Sequence, residues 1–338
     1  MVVYGDNKSE ILFDFFCEKN MLSLFLELMW TEGGCPNVVH IQILQTLSIL
    51  INCVRNNTSL YYLLSNNYVN EIINFPHNFE NDESLRDQFA SFMKSLSLRL
   101  NKQTVQFFFI EETGGFPLLT RAIEVMYLND NMVRIASQTT ILNIFKVQDF
   151  RSRAYALQEE VMFTFFTVIT SLMRSQYASL LTLCKQYTSA AVGLNGTGSG
   201  AEGDVDADQG KLQSIENQMT DLLVNSEDWL YYLQDIFDLK IMVLRRALVV
   251  HLVNNFLYPV LLPCYSHQRM FSLQSVDPVL DEEVPEVPSG EATADNEVEF
   301  LVSITYLAQV RCINHENKLS NFVSFFIAFA MLDFEDYF

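Results

Sequence analysis

Hydrophobic positions in this chain come in short bursts that stop at a polar pair and restart at once. The stretch "NTSLYYLLSNNYVNEIINF" (residues 57–75) shows the pattern in its simplest form. A short helix, a corner at Asn66-Asn67 and a second helix would satisfy it, because Asn tolerates the left-handed backbone and caps the helix that follows. Three segments can be overlaid on this plan: "LFDFFCEKNMLSLF" from Leu12, "LYYLLSNNYVNEII" from Leu60 and "VQFFFIEETGGFPLLTRAI" from Val105. Their starts lie 48 and 45 residues apart, and each breaks at a polar pair: Glu18-Lys19, Asn66-Asn67 and Glu111-Glu112.

A longer amphipathic helix is expected between copies. "LRDQFASFMKSLSLRL" sets Leu85, Phe89, Phe92, Met93, Leu96 and Leu100 on one face, and "HIQILQTLSILINCV" carries Gln42, Gln45, Thr46 and Asn52 among its polar positions. A third, "NDNMVRIASQTTILNIFKV" (129–147), opens with Asp130 as its N-cap, and its Arg134 is placed to reach the capping acid of a neighbouring unit. A period of about 45 residues with two or three helices per unit is the signature of armadillo and HEAT arrays. The fold expected is therefore all-α, an armadillo/HEAT-like helical-repeat solenoid with two disordered acidic insertions.

That pattern divides the chain into a helical-repeat region over 1–187, a Gly-rich acidic loop over 188–210 and a continued solenoid over 211–273. A second acidic, Pro-containing loop follows over 274–298, and C-terminal helices close the chain over 299–338. Composition agrees: hydrophobic residues are 49%, whereas Gly and Pro number only 12 and 8, too few for the turns of an all-β chain.

Charge changes the picture of partners. The net charge is −20, from 21 Lys and Arg against 41 Asp and Glu. Such a balance opposes binding to nucleic acid and to anionic lipid. Thirteen of the twenty excess charges fall in residues 201–209 and 277–299, which contain no Lys or Arg. The remaining body is only mildly acidic and has room for a basic patch.

Catalytic and metal-binding patterns fail their structural tests. "GSGAEG" (198–203) follows no apolar strand and is flanked by acids, so it would repel a phosphate. "DVDADQG" has its glycine one position late for a calcium loop. The five histidines show no HxxxH or HExxH spacing, and the six cysteines form no CxxC pair and read as reduced, buried small hydrophobes. No cofactor and no enzymatic activity is expected. The start "MVVYGDNKSE" has no signal-peptide character, and the longest apolar stretches fall short of the ~18–20 residues that span a bilayer, so membrane contact is expected to be peripheral. Arg151, Arg153, Lys240, Arg245 and Arg246 stand out as basic positions able to line a groove for an acidic partner peptide or a phosphoinositide, unless local acids such as Asp149, Asp235 and Asp238 take them.

The segments "FDFFCEKNMLSLFL", "LQTLSIL", "TSLYYLLSNNYVNEII", "SFMKSLSLRLNKQTVQFFF" and "GGFPLLTRAI…MVRIASQTTILNIFKV" together resemble the FPL-domain family, whose name reflects Phe116-Pro117-Leu118. The match is close and ordered from about Val3 to Val147, looser beyond. It departs at Phe145, where the family has tyrosine, and at Gln138, where it has arginine. In the family the first helix begins upstream of "VVYGDN" and a long disordered tail closes the chain, so the resemblance leads one to expect that an N-terminal cap and that tail are missing from this sequence.

The resemblance implies a helical-repeat scaffold or adaptor in endosomal–lysosomal trafficking, autophagy and mitophagy. It would be cytoplasmic and peripheral on endosomal, lysosomal or Golgi membranes. The implied partners are endolysosomal tethering and autophagy proteins, a RING ubiquitin ligase or a small GTPase. The rival readings are an atypical ubiquitin-ligase component and an effector of an endolysosomal GTPase. On the best-matched helix, Arg134, Asn143 and Lys146 are the candidate partner-binding residues, with Arg245 and Arg246 farther along.

Overall fold

The computed structural model describes residues 11–31, 35–79, 82–110, 114–128, 130–196 and 205–261. Contacts divide the chain into two compact units, Met1–Val168 and Ile169–Phe338. All regular structure among the described residues is helical.

The first unit begins with α1 (Ile11–Glu18), α2 (Met21–Met29) and α3 (Asn37–Cys53), followed by α4 (Asn57–Leu64), α5 (Tyr68–Asn74) and α6 (Glu83–Ser97). After a 3₁₀ turn at Val105–Phe108 come α7 (Pro117–Met126), α8 (Asn131–Lys146) and α9 (Phe150–Ala156). The corner between α4 and α5 is where the sequence sets it. Asn66 and Asn67 both take left-handed backbone, with φ of 59° and 62°. Asn67 does not cap α5 through its side chain, contrary to expectation. Its Oδ1 instead accepts from Asn70 Nδ2 at 2.9 Å, and the same Nδ2 donates to the Phe107 carbonyl, which ties α5 to the next unit. In the first copy the left-handed residue is Asn20 (φ 46°), one position after the Glu18-Lys19 pair. In the third it is Gly114 (φ 66°). Residues 111–113, which include Glu111-Glu112, lie outside the described residues.

Gly114 explains the motif around it. Its amide donates to the Ile110 carbonyl at 2.7 Å, and the Ile110 amide returns a bond to Gly115, closing a tight loop that needs positive φ. The chain then delivers Phe116 into the core and Pro117 to the first position of α7, where no N–H is needed. Phe116 stacks on Phe109 at 4.7 Å, and the Tyr155 ring closes on both from the edge.

Packing repeats from copy to copy. Helix α2 packs on α5 and α5 on α7; the long helices α3, α6 and α8 pack in the same order. Hydrogen bonds recur at nearly one spacing. Tyr62 Oη donates to the Cys17 carbonyl and Asn37 Nδ2 to Asp82 Oδ2, both 45 residues away, and Asn143 Nδ2 donates to Ser97 Oγ, 46 away. Asp82 also caps α6 by accepting from the Leu85 amide; that bond and then Asn37 hold its carboxyl below the usual carboxylate range.

Arginines close the C-termini of earlier helices. Arg99 donates to the carbonyls of Ile51, Asn52 and Val54 at the end of α3, each at 2.8 Å. Arg121 lies 3.5 Å from the Phe75 carbonyl, beyond α5, and over the rings of Phe79 and Phe89. The Arg99 guanidinium satisfies carbonyls that a helix end leaves open and complements its negative dipole end, whereas the Phe75 carbonyl near Arg121 also accepts from the His77 amide at 2.8 Å.

Helix α10 (Glu159–Gly196) starts in the first unit and continues into the second, which adds α11 (Val205–Asp238), α12 (Met242–Leu252) and a π-helical segment, Val253–Leu261. Leu244, Leu248 and Leu252, spaced by four, form the buried stripe of α12, and the Tyr177 ring meets Phe256 edge-on. The segment expected as a loop over 188–210 is helical on both sides: α10 takes in 188–196 and α11 takes in 205–210, while 197–204 lie outside the described residues. The expected loop over 274–298 and the helices over 299–338 also lie outside them. Among the described residues no helix is long and apolar enough to cross a membrane.

Candidate functional site

Helices α3, α6 and α8 each bury one face and leave a narrow stripe open. On α8 the buried set includes Val133, Arg134, Gln138, Ile141 and Phe145, and the stripe runs through Met132, Ile135, Thr139, Asn143 and Lys146. On α3 the stripe carries Val38, Gln42, Gln45, Thr46, Ile49 and Asn52; on α6 it carries Ser84, Asp87, Ser91 and Leu98. Register between stripes is set by Asn52 donating to Ser95 and Asn143 donating to Ser97. The three stripes thus face the same way and form one surface of mixed amides, hydroxyls and isolated apolar side chains. Interfaces between proteins commonly combine apolar anchors with polar contacts in this way.

The two ends of this surface differ in charge. Asp82 and Asp130 cap the starts of α6 and α8, and Asp130 accepts from the amides of Met132 and Val133. Between them the carboxyl of Asp87 is raised, first by burial and then by Asp130 and Glu83. Lysines mark the other end. There a recess of about 370 Å³ opens between the ends of α6 and α8, lined by Ser97, Leu98, Leu100, Asn101, Lys102, Asn143, Lys146, Val147 and Gln148. Among the described residues no acidic side chain is in that lining. Its floor is rigid, because Asn101 Oδ1 accepts from the amides of Gln103 and Thr104 while the Thr104 hydroxyl donates to the Arg99 carbonyl.

The sequence candidates separate on this geometry. Asn143 and Lys146 come together in the recess. Arg134, on the first turn of the same helix, is only 5% exposed and belongs to the packing. Phe145 and Gln138 are also buried, so both departures from the family pattern lie off the open stripe; Phe145 packs on Phe165 at 5.9 Å. Arg245 belongs to the second unit and is committed locally: Nε donates to the Phe237 carbonyl at 2.6 Å and the guanidinium lies 4.5 Å over that residue's ring. Neither Asp235 nor Asp238 takes it. Arg246 is exposed beside it. Lys102, Asn101 and Gln148 were not singled out in the sequence. They lie in connecting segments, where helical periodicity carries no information.

Two other groupings invite chemistry and do not complete it. His40 and His77 lie 5.6 Å apart, ring to ring, among Trp30, Phe75, Phe79 and Phe89. Burial, then His40 and Arg121, push the His77 imidazole down to about 3, and burial lowers His40. Among the described residues no group of three or more His, Cys, Asp or Glu side chains is placed to hold a metal ion. A cavity of about 600 Å³ in the second unit is lined by Ser175, Ala178, Ser179, Thr182, Leu183, Gln218, Asp221 and Leu222. Its Ser179 and Thr182 hydroxyls are already bonded to carbonyls of their own helix.

The first unit is thus a set of packed helices with an open stripe on α3, α6 and α8 and a lysine-lined recess at one end. Residues 1–145 match the model of the FPL family, described as an uncharacterised conserved protein. Over those residues the chain is similar to the FPL family. It is 36% identical over 260 residues to the Drosophila melanogaster protein CLEC16A homolog, covering 77% of this chain and 22% of that protein. To human protein CLEC16A it is 33% identical over 323 residues, 95% of this chain and 26% of the relative. The Arabidopsis thaliana protein TRANSPARENT TESTA 9 is 28% identical over 282 residues, 82% of this chain and 31% of that protein. The chain thus spans about a quarter of the length of the CLEC16A proteins from fly and human. No solved structure matches it.

Proposed function

We propose that this chain is a non-enzymatic scaffold, an armadillo/HEAT-like helical array that brings a partner protein to endosomal and lysosomal membranes in trafficking and autophagy. The observation that carries the reading is the recurrence of hydrogen bonds near 45 residues, which holds α3, α6 and α8 in register. Arrays of this kind present a continuous surface whose repeats contact only their neighbours, a form suited to binding extended partners. Relatedness to the CLEC16A proteins supports the assignment to membrane traffic, and the absence of a spanning helix among the described residues fits peripheral attachment.

The test is affinity capture of the tagged full chain from its own cells, with bound proteins identified by mass spectrometry. Recovery of endolysosomal tethering or autophagy components is the expected result. A capture lacking every membrane-traffic protein would remove the role. Autoubiquitination by the purified chain without an added ligase would replace the scaffold reading with a direct ligase component.

A further inference from the structure

We propose that the recess between the ends of α6 and α8 is a docking site for an acidic peptide segment of a partner protein, with Lys102 and Lys146 receiving its carboxylates. The inference deepens the scaffold reading and rests on it for the statement that the occupant is a protein.

Its local grounds are independent. The two lysines line one recess with no carboxylate in the lining, and neither makes an ion pair or hydrogen bond among the described residues. Lysines near helix ends commonly serve the last carbonyls, and several of those already have donors here. The Lys94, Leu96 and Ser97 carbonyls accept from Leu98, Arg99 and Leu100, and the Ile144 carbonyl accepts from Val147. Two positive charges thus stand uncompensated in a chain whose net charge is −20. A recess with positive charge and low-dielectric walls attracts an anion more strongly than an open surface does.

The rest of the lining favours a peptide over a lipid surface. Gln148 presents a side-chain amide that can pair with a peptide backbone, Asn101 keeps its Nδ2 as a donor while its Oδ1 holds Gln103 and Thr104, and Asn143 keeps its Oδ1 as an acceptor while its Nδ2 bonds Ser97. Leu98, 60% exposed at the rim, offers an apolar contact. A flat bilayer laid along these helices would also meet the carboxylates at their other end, which repel anionic lipid, whereas a short peptide would meet the recess alone.

The test uses the full chain and fluorescence anisotropy of a fluorescein-labelled ten-residue glutamate peptide, with a glutamine peptide of the same length as control. The glutamate peptide is expected to bind, to weaken as salt rises, and to lose at least tenfold in affinity in K102E/K146E. R174E, at an exposed position of α10, is expected to leave binding unchanged. If the charge-reversed protein melts differently by circular dichroism, K102Q/K146Q takes its place, with a loss of at least threefold expected.

Absence of glutamate-peptide binding, equal binding of the glutamine peptide, or affinity in the lysine variants within twofold of wild type would overturn the proposal. So would binding of phosphatidylserine-containing vesicles through the two lysines without peptide binding, which would assign the recess to a membrane. Peptide binding through the lysines with no membrane-traffic protein captured from cells would keep the site and discard the trafficking role; the reverse pair of results would do the opposite.

Discussion

Arg99 reaches back 45 residues to the Val54 carbonyl at 2.8 Å, and with the same guanidinium takes the carbonyls of Ile51 and Asn52. One side chain therefore closes the C-terminus of α3 from the far end of α6. The loss expected for Arg99→Ala is about 2–3 kcal/mol, since carbonyls bonded to a charged donor lose it together. Arg99→Lys should recover less than half, because an ammonium cannot span three carbonyls in a fork. Urea denaturation of the three proteins measures both; equal stability of all three would show that the fork is ornamental to the fold.

His77 makes stability depend on pH. Its folded value of about 3 lies below the ordinary 6.5, so the unfolded chain binds a proton that the folded chain refuses. The His77 contribution is thus complete above pH 6.5 and is lost as pH falls from 6.5 towards 3, at about 1.4 kcal/mol per unit once the unfolded imidazole is protonated. His40 has the same sign. Replacing His77 by Phe keeps an aromatic ring among Phe75, Phe79 and Phe89 and removes the proton site. Its stability relative to wild type should rise between pH 7 and pH 5 in parallel melts, and a constant difference would contradict the assignment.

The turn before α7 separates backbone strain from packing. Gly114 has φ of 66° and open space where a Cβ would stand, so Gly114→Ala should cost about 1–2 kcal/mol through strain alone. Gly114→Asn should cost less, because Asn accepts the left-handed region. Phe116→Ala empties a fully buried site and should cost about 3–5 kcal/mol. If denaturation midpoints show Ala and Asn at position 114 to be equal, the strain explanation fails.

Helices built on local rules were legible in the sequence. The Asn66-Asn67 corner, the Asp130 cap and the stripe of Leu85, Phe89, Phe92, Met93 and Leu96 all depend on neighbours within one or two turns. What sequence reading missed depends on partners in space. Arg134, which the sequence offered both as a reach to a neighbouring unit and as a partner contact, is buried where α6 and α7 pack against its helix. Lys102 acquires meaning only because a loop after α6 meets the end of α8. Residues 188–196 read as loop on composition, yet they extend a 38-residue helix, where adding a turn needs no new nucleus. Arg245 drew notice for its charge and serves a carbonyl instead.

Capture of partners by the open stripe itself tests the scaffold most directly. Met132 is 72% and Ile135 42% exposed on α8, so M132D/I135D should fold and melt like wild type while altering the surface on which a partner would lie. Affinity capture of both proteins from cells, compared by quantitative mass spectrometry, should show membrane-traffic components with wild type and their loss, by at least fivefold, with the variant. Equal recovery of those components by a folded M132D/I135D would contradict the claim that this face carries the function.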